Sequence, residues 1–140
     1  MKHVNFEFKA RLRNESHARA VLEKLRVRYM GTDHQVDTYF LVPRGRLKIR
    51  EGRIENALIF YQRRDSRRPR QARIEMMLLP RRNSLKKILT RVLPVLAAVD
   101  KRREIYLAGN VRIHLDRVRG LGKFLEVEAI SHSKDLSRVR

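Results

Sequence analysis

Val4-Asn5-Phe6-Glu7-Phe8-Lys9-Ala10-Arg11-Leu12 alternates without a break between apolar and polar side chains. Successive side chains of a strand point to opposite faces, so Val4, Phe6, Phe8, Ala10 and Leu12 share one face and Asn5, Glu7, Lys9 and Arg11 the other. The segment reads as a strand with one apolar and one ionic face. A wet strand face ordinarily mixes Thr, Ser, Gln and Lys; this one carries a carboxylate beside cations.

The same pattern recurs along the chain. After the Pro43-Arg44-Gly45 turn, Arg46, Lys48 and Arg50 alternate with Leu47 and Ile49, and Glu51-Gly52-Arg53 turns into a strand over residues 57–63. Residues 64–70 read as a cationic loop around Pro69, and residues 73–79 as a further strand ending at Pro80. Later strands span residues 99–107, 111–116 and 124–130, separated by Gly109-Asn110 and Gly120-Leu121-Gly122. They pair Lys101 with Arg103, Arg112 with Asp116, and Glu126 with Glu128 at strand period. Arg102 and Glu104 fall on the opposite face and read as structural.

Helical spacing appears twice. Ala18, Val21, Leu22 and Leu25 follow a Ser16 cap and stop at Gly31; Leu85, Ile88, Leu89, Val92 and Leu93 follow Asn83 or Ser84 and stop at Pro94. Between the first helix and the Pro43 turn, the residues around Asp37, Thr38 and Tyr39 read as a polar stretch. Seven or eight strands and two amphipathic helices result.

Composition limits what this set of elements can do. The chain of 140 residues reads as one domain, 1–140, with 42% hydrophobic and 35% charged residues. Lys and Arg total 34 against 15 Asp and Glu, a net charge of +19 that attracts anions: nucleic acid, anionic membrane or phosphorylated metabolites. No cysteine is present, which excludes disulfides, thiolate catalysis and Cys-based zinc sites. No signal peptide or apolar run near the roughly 18 residues of a membrane span is visible, so a soluble, cytoplasmic protein is expected.

If the ionic faces converge inside a closed barrel, the cations can hold a chain of phosphates through charge-assisted hydrogen bonds, and the carboxylates can hold a hard divalent cation. Burying such charges without partners is costly. The apolar faces would then point outward, covered in part by the two helices. Glu126 and Glu128, two apart on one strand face, form with Asp116 the best metal-binding set.

Four segments in order resemble the CYTH domain, shared by class IV adenylyl cyclases, thiamine triphosphatases and inorganic triphosphatases and known as the triphosphate tunnel metalloenzymes. They are Asn5-Phe6-Glu7-Phe8-Lys9-Ala10-Arg11 with Gln35-Val36-Asp37-Thr38-Tyr39-Phe40; Gly45-Arg46-Leu47-Lys48-Ile49-Arg50-Glu51; Ile59-Phe60-Tyr61-Gln62-Arg63 with Lys101-Arg102-Arg103-Glu104-Ile105-Tyr106; and Val111-Arg112-Ile113-His114-Leu115-Asp116 through Gly120-Leu121-Gly122-Lys123-Phe124-Leu125-Glu126-Val127-Glu128. The last is the most specific.

The resemblance implies an α+β fold, an eight-stranded antiparallel β-barrel forming a triphosphate tunnel with covering helices. It implies phosphate-binding roles for Lys9, Arg11, Lys48, Arg50, Arg63, Lys101, Arg103 and Arg112. It also implies metal-binding roles for Glu7, Asp116, Glu126 and Glu128 toward Mg²⁺ or Mn²⁺, and catalytic roles for Glu7 and Lys9. The implied substrate is ATP, tripolyphosphate or thiamine triphosphate. The block from Arg112 to Glu128 and the Phe60-Tyr61-Gln62-Arg63 segment look closest to the class IV adenylyl cyclases.

Asn5 departs from the family pattern, which has Glu there; an amide oxygen can ligate a hard cation but brings no charge. Arg73 also stands where cyclase-like members tend to be acidic. The functional classes are therefore a cyclase (ATP to cyclic AMP and pyrophosphate), a triphosphatase, a catalytically weak polyphosphate-binding module, and, less favoured, a nucleic-acid binder, since no common DNA-binding motif accompanies the charge. His114, on the face of Arg112 and Asp116, is a lone histidine left outside the site, and Tyr61 is a candidate for stacking. The oligomeric state is open, a homodimer being one option.

Overall fold

The alternating first segment is strand β1 (Lys2–Arg11), and alternation builds most of the remaining chain: α1 (Glu15–Lys24), β2 (Arg28–Phe40), β3 (Arg46–Glu51), β4 (Ala57–Arg63), β5 (Arg70–Leu78), α2 (Leu85–Val92), β6 (Val95–Ala108), β7 (Val111–Val118) and β8 (Gly122–His132). The structure is a computed structural model and describes residues 2–63 and 70–132; the side chain of Arg63 and the cationic loop after it lie outside the described residues.

The strands close on themselves in the order β1-β5-β4-β3-β2-β6-β7-β8, every pair antiparallel, with β1 joined to both β5 and β8. Closure leaves no unpaired sheet edge and gives the sheet one inside and one outside. The eight-stranded barrel expected from the resemblance is the observed architecture.

One strand departs from expectation. The supposed polar stretch around Asp37 belongs to β2, a 13-residue strand paired with β3 on one side and β6 on the other. Both of its faces are polar, with Asp33, Gln35 and Asp37 buried and Thr32 and His34 exposed, so hydropathy alternation could not reveal it.

The inside is not ionic all round. On β4 and β5 the buried cluster is apolar, Ala57, Ile59 and Tyr61 against Ala72 and Ile74, with Tyr39 and Met76 packed on it. Ile59 stands opposite Met76, and Tyr61 opposite Ile74. The expectation that apolar faces point outward therefore fails on these two strands, which put their hydrophobic core inside the barrel. Arg73, by contrast, is exposed.

The helices cover less than their periodicity suggests. Helix α1 is capped by Asn14 rather than by the expected Ser16, the Asn14 side chain accepting from the His17 amide at 3.0 Å. Leu22 is its only buried apolar residue. Ions dock it instead: Arg117 gives Glu15 two bonds of 2.8 Å, and Arg19 bonds Glu104 at 2.9 Å. The Arg117 contact brings the Glu15 carboxyl down to about 2 against the upward push of burial. Helix α2 buries no residue, and Ile88 and Val92 stay exposed, so the expected burial of its stripe does not occur.

Candidate functional site

Inside the barrel, strand register places the ionic side chains. Asp37 lies opposite Arg50, Gln35 opposite Lys101, and Arg103 opposite both Asp33 and Asp116. Glu126 lies opposite Lys9 on one side and His114 on the other; Glu128 lies opposite Glu7 and Arg112. Because every partner sits at strand period, each pair of neighbouring strands projects its charges into one space.

That space is lined by Asn5, Glu7 and Lys9 of β1, Lys48 and Arg50 of β3, Lys101 and Arg103 of β6, and Glu126 and Glu128 of β8, along with the apolar wall. It holds about 80 Å³ between the side chains. Of the residues expected to bind phosphate, Lys9, Lys48, Arg50, Lys101 and Arg103 line it. Arg11 is exposed, bonded to the Leu121 carbonyl at 3.2 Å and 5.3 Å from the Phe124 ring centre. Arg112 reaches toward Glu55 at 3.8 Å with a half-exposed side chain. The Arg63 side chain lies outside the described residues.

The basic residues hold carboxylates that the sequence reading did not assign. Asp37 is fully buried and takes Arg50 through both oxygens at 2.9 and 2.8 Å, with Lys48 and Lys101 each at 3.0 Å. Burial pushes the Asp37 carboxyl up, but the Arg50 hydrogen bonds and the charges of Arg50, Lys48 and Lys101 outweigh it and hold the group well below the carboxylate range. Glu55 bonds Arg50 at 2.5 Å. Its backbone is set by Asp33, whose side chain accepts from the amides of Arg53, Ile54 and Glu55. Gly52 lets that turn close: a Cβ there would lie 2.5 Å from the Asp33 carboxylate.

Burial pushes Lys101 down to about 7, with the charges of Arg103 and Arg50 adding to the push. Lys48 is lowered for the same reasons, burial first and Arg50 next. Each would gain from an added anion. The period-two row Asp33, Gln35, Asp37, Tyr39 was the available signal for this missed half of the site.

The acidic set divides. By its hydrogen bonds Asp116 stands with a cation, accepting from Arg103 through both oxygens at 2.9 and 2.8 Å, and Arg103 in turn lies 3.7 Å from Glu126. Glu126 and Glu128 stay together with His114: one donor atom from each lies within 4.8 Å of the others. Burial and a hydrogen bond to Glu126 raise the Glu128 carboxyl; Glu126 is lowered, its own burial outweighed by Glu128, His114 and Arg103. Two buried carboxylates this close disfavour each other's charge, a cost that a divalent cation would relieve. Burial, aided by Arg103, lowers the His114 imidazole against the opposing pull of Glu126. Glu104, on the opposite strand face from Arg103, bonds Arg19 and the Tyr106 hydroxyl and is structural, as read from the sequence.

The sequence matches the CYTH domain over residues 3–138. The chain belongs to the CYTH family. Solved structures of similar fold include a protein from Pyrococcus horikoshii (TM-score 0.81, 24% identity, 96% of this chain and 84% of that one). A candidate adenylate cyclase from Vibrio parahaemolyticus follows (0.73, 20%, 97% and 82%). A candidate adenylyl cyclase from Hippeastrum with a dominant triphosphatase activity is more distant (0.62, 12%, 98% and 83%). At these identities the likeness speaks for the CYTH fold alone. No curated protein sequence matches the chain. Among the described residues no helix is long and apolar enough to cross a membrane.

Proposed function

We propose that this CYTH domain is a divalent-metal-dependent enzyme of the class IV adenylyl cyclase kind, converting ATP to cyclic AMP and pyrophosphate. The observation that carries this reading is the three-sided lining. Lys48, Arg50, Lys101 and Arg103 form a cationic wall, Glu126 and Glu128 an acidic one, and Ile59, Tyr61, Ile74 and Met76 an apolar one. The first suits phosphates and the second a metal. The third gives a nucleoside an aromatic and aliphatic surface, which an inorganic triphosphate does not need.

The carboxylates of Glu126, Glu128 and Glu7 offer the oxygen donors that Mg²⁺ or Mn²⁺ takes, so the residues present fit the metal. A bound cation supplies charge neutralisation and Lewis-acid polarisation at the phosphoryl oxygens. Lys48 and Lys101 exchange Asp37 for phosphate oxygens, and Arg50 and Arg103 hold the chain in line. Glu7 accepts the proton of the ribose 3′-hydroxyl as its oxygen bonds the α-phosphorus; the bond from that phosphorus to the bridging oxygen breaks, and pyrophosphate leaves. Lys9, beside Glu7 on β1, neutralises charge that builds on the phosphates.

Hydrolysis of an inorganic or thiamine triphosphate is the second reading, and the narrow space of about 80 Å³ favours it because a bare triphosphate is slimmer than a nucleotide. Asn5 lines the same space with its side-chain oxygen buried and without a hydrogen-bond partner among the described residues; in place of a carboxylate it lowers metal affinity, and a weak polyphosphate-binding module is the limit of that effect. Incubating the protein with ATP, tripolyphosphate and thiamine triphosphate, each with Mg²⁺ or Mn²⁺, separates these readings by product. Cyclic AMP with pyrophosphate is expected. Orthophosphate instead selects the hydrolase, and tight tripolyphosphate binding without turnover selects the module, in which case Asn5→Glu should restore metal-dependent turnover.

A further inference from the structure

His114 reads in the sequence as a lone histidine outside the site, and the structure gives it a different setting. Its side chain is 5% exposed, and among the described residues Nδ1 has no hydrogen-bond partner. Nδ1 points at the acidic wall, 3.6 Å from the nearer Glu126 oxygen, beyond hydrogen-bond reach. A buried imidazole nitrogen left unpaired costs free energy unless something occupies it.

What could occupy it is set by its neighbours. His114 and Glu126 are directly opposed on β7 and β8, and Glu128 lies two residues further along β8. The donor atoms of all three lie within 4.8 Å of one another. Donors bonded to one cation at about 2.1 Å stand roughly 3–4.3 Å apart, so small side-chain rotations bring the three around a single ion. Alternation on the strands fixes this geometry, because an even register keeps all three side chains on the inner face.

We infer that His114 Nδ1 is a direct ligand of the metal held by Glu126 and Glu128, and that this nitrogen makes the site prefer Mn²⁺ to Mg²⁺. The inference rests on the metal site proposed above. Mg²⁺ takes oxygen donors and keeps its waters, whereas first-row transition ions accept imidazole readily. A site of carboxylates alone would lack that discrimination. His114 is thus a specificity-determining residue for the ion, independent of which triphosphate is processed.

The test reads the metal directly. Mn²⁺ is added to the whole protein, alone and with tripolyphosphate, and electron spin-echo modulation is recorded for coupling to imidazole nitrogen. Nitrogen coupling is expected in the wild type and should vanish in His114→Gln. That variant should lose at least the roughly 10–100-fold in Mn²⁺ affinity that removing a partner of a metal ligand costs, while Mg²⁺ affinity changes much less. The wild-type spectrum decides even if His114→Gln does not fold. Bound Mn²⁺ without nitrogen coupling overturns the role of His114 and leaves the metal-dependent reading standing. Failure to bind Mn²⁺ under either condition overturns the metal site and the inference together. Coupling that persists in a folded His114→Gln protein assigns the nitrogen to another residue and overturns it as well.

Discussion

The two sides of the tunnel are built on different physics. Across β2, β3, β6 and β7 the interior is held by ion pairs: Asp37 with Arg50, Lys48 and Lys101, and Asp116 with Arg103. Across β4 and β5 it is an ordinary hydrophobic cluster, Ala57, Ile59, Tyr61, Ala72 and Ile74. The apolar side owes its stability to area removed from water and has no need of a ligand. The ionic side owes its order to pairs whose desolvation cost is large, and those pairs are the groups an incoming phosphate chain would contest. One barrel therefore sets a permanent core beside one that the proposed ligand would exchange.

The largest way to break this contrast is Asp37→Ala, which leaves Arg50, Lys48 and Lys101 buried around an absent counter-charge. Removing one partner of a buried pair costs about 3–5 kcal/mol. Denaturant unfolding should show that loss, and tripolyphosphate should recover part of it by binding only the folded chain. A loss under about 1 kcal/mol, or no recovery, would mean that the ionic wall is not exchangeable in this sense.

On the other wall, Ile59→Ala should cost about 2–4 kcal/mol through lost burial and a cavity. Its signature is the reverse of the first: added tripolyphosphate should stabilise this variant and the wild type by equal amounts. Unequal stabilisation would show that the two walls are coupled.

The smallest effect sharpens the comparison through protons. With Lys101 pushed down to about 7 by burial, a polyanion that favours its charged form should draw a proton onto it. Tripolyphosphate affinity should then fall as pH rises above 7, by less than about tenfold per unit. Lys101→Met should flatten the slope. The ligand-free protein has the opposite trend: between about 7 and the ordinary 10.5 the unfolded chain binds more protons, so stability rises with pH. Calorimetry in buffers of different ionisation heat checks the proton uptake.

How much of this was legible in the sequence depended on whether a strand's two faces differ. In β1 they do, Phe6 and Phe8 against Glu7 and Lys9, and both the strand and its ionic face could be read; β8 likewise sets Glu126 and Glu128 against Leu125 and Val127. In β2 both faces are polar, so the strand vanished, and with it Asp37. The role of Asp37 was doubly hidden, since Arg50 and Lys101 stand 13 and 64 residues away and only the pairing of β2 with β3 and β6 brings them to it. In β4 both faces are apolar, Leu58 and Phe60 against Ile59 and Tyr61, so nothing marked which side faces inward. The stripe of α2 was visible, but periodicity says which residues share a face, not that a neighbour covers it.

The pairing inside the barrel has a kinetic consequence. Lys48, Arg50 and Lys101 share Asp37, Arg50 also holds Glu55, and Arg103 holds Asp116, whereas among the described residues Arg28, Arg53, Arg73, Arg102 and Arg119 are exposed and carry part of the +19 charge excess on the outside. The exterior field governs how often an anion arrives, and it is screened within roughly 10 Å at 0.1 M salt. For the triphosphate proposed above, the buried pairs would govern how long it stays, because they re-form as it leaves. Added salt should therefore slow capture far more than it hastens escape, and the two rates would then depend on separate sets of residues.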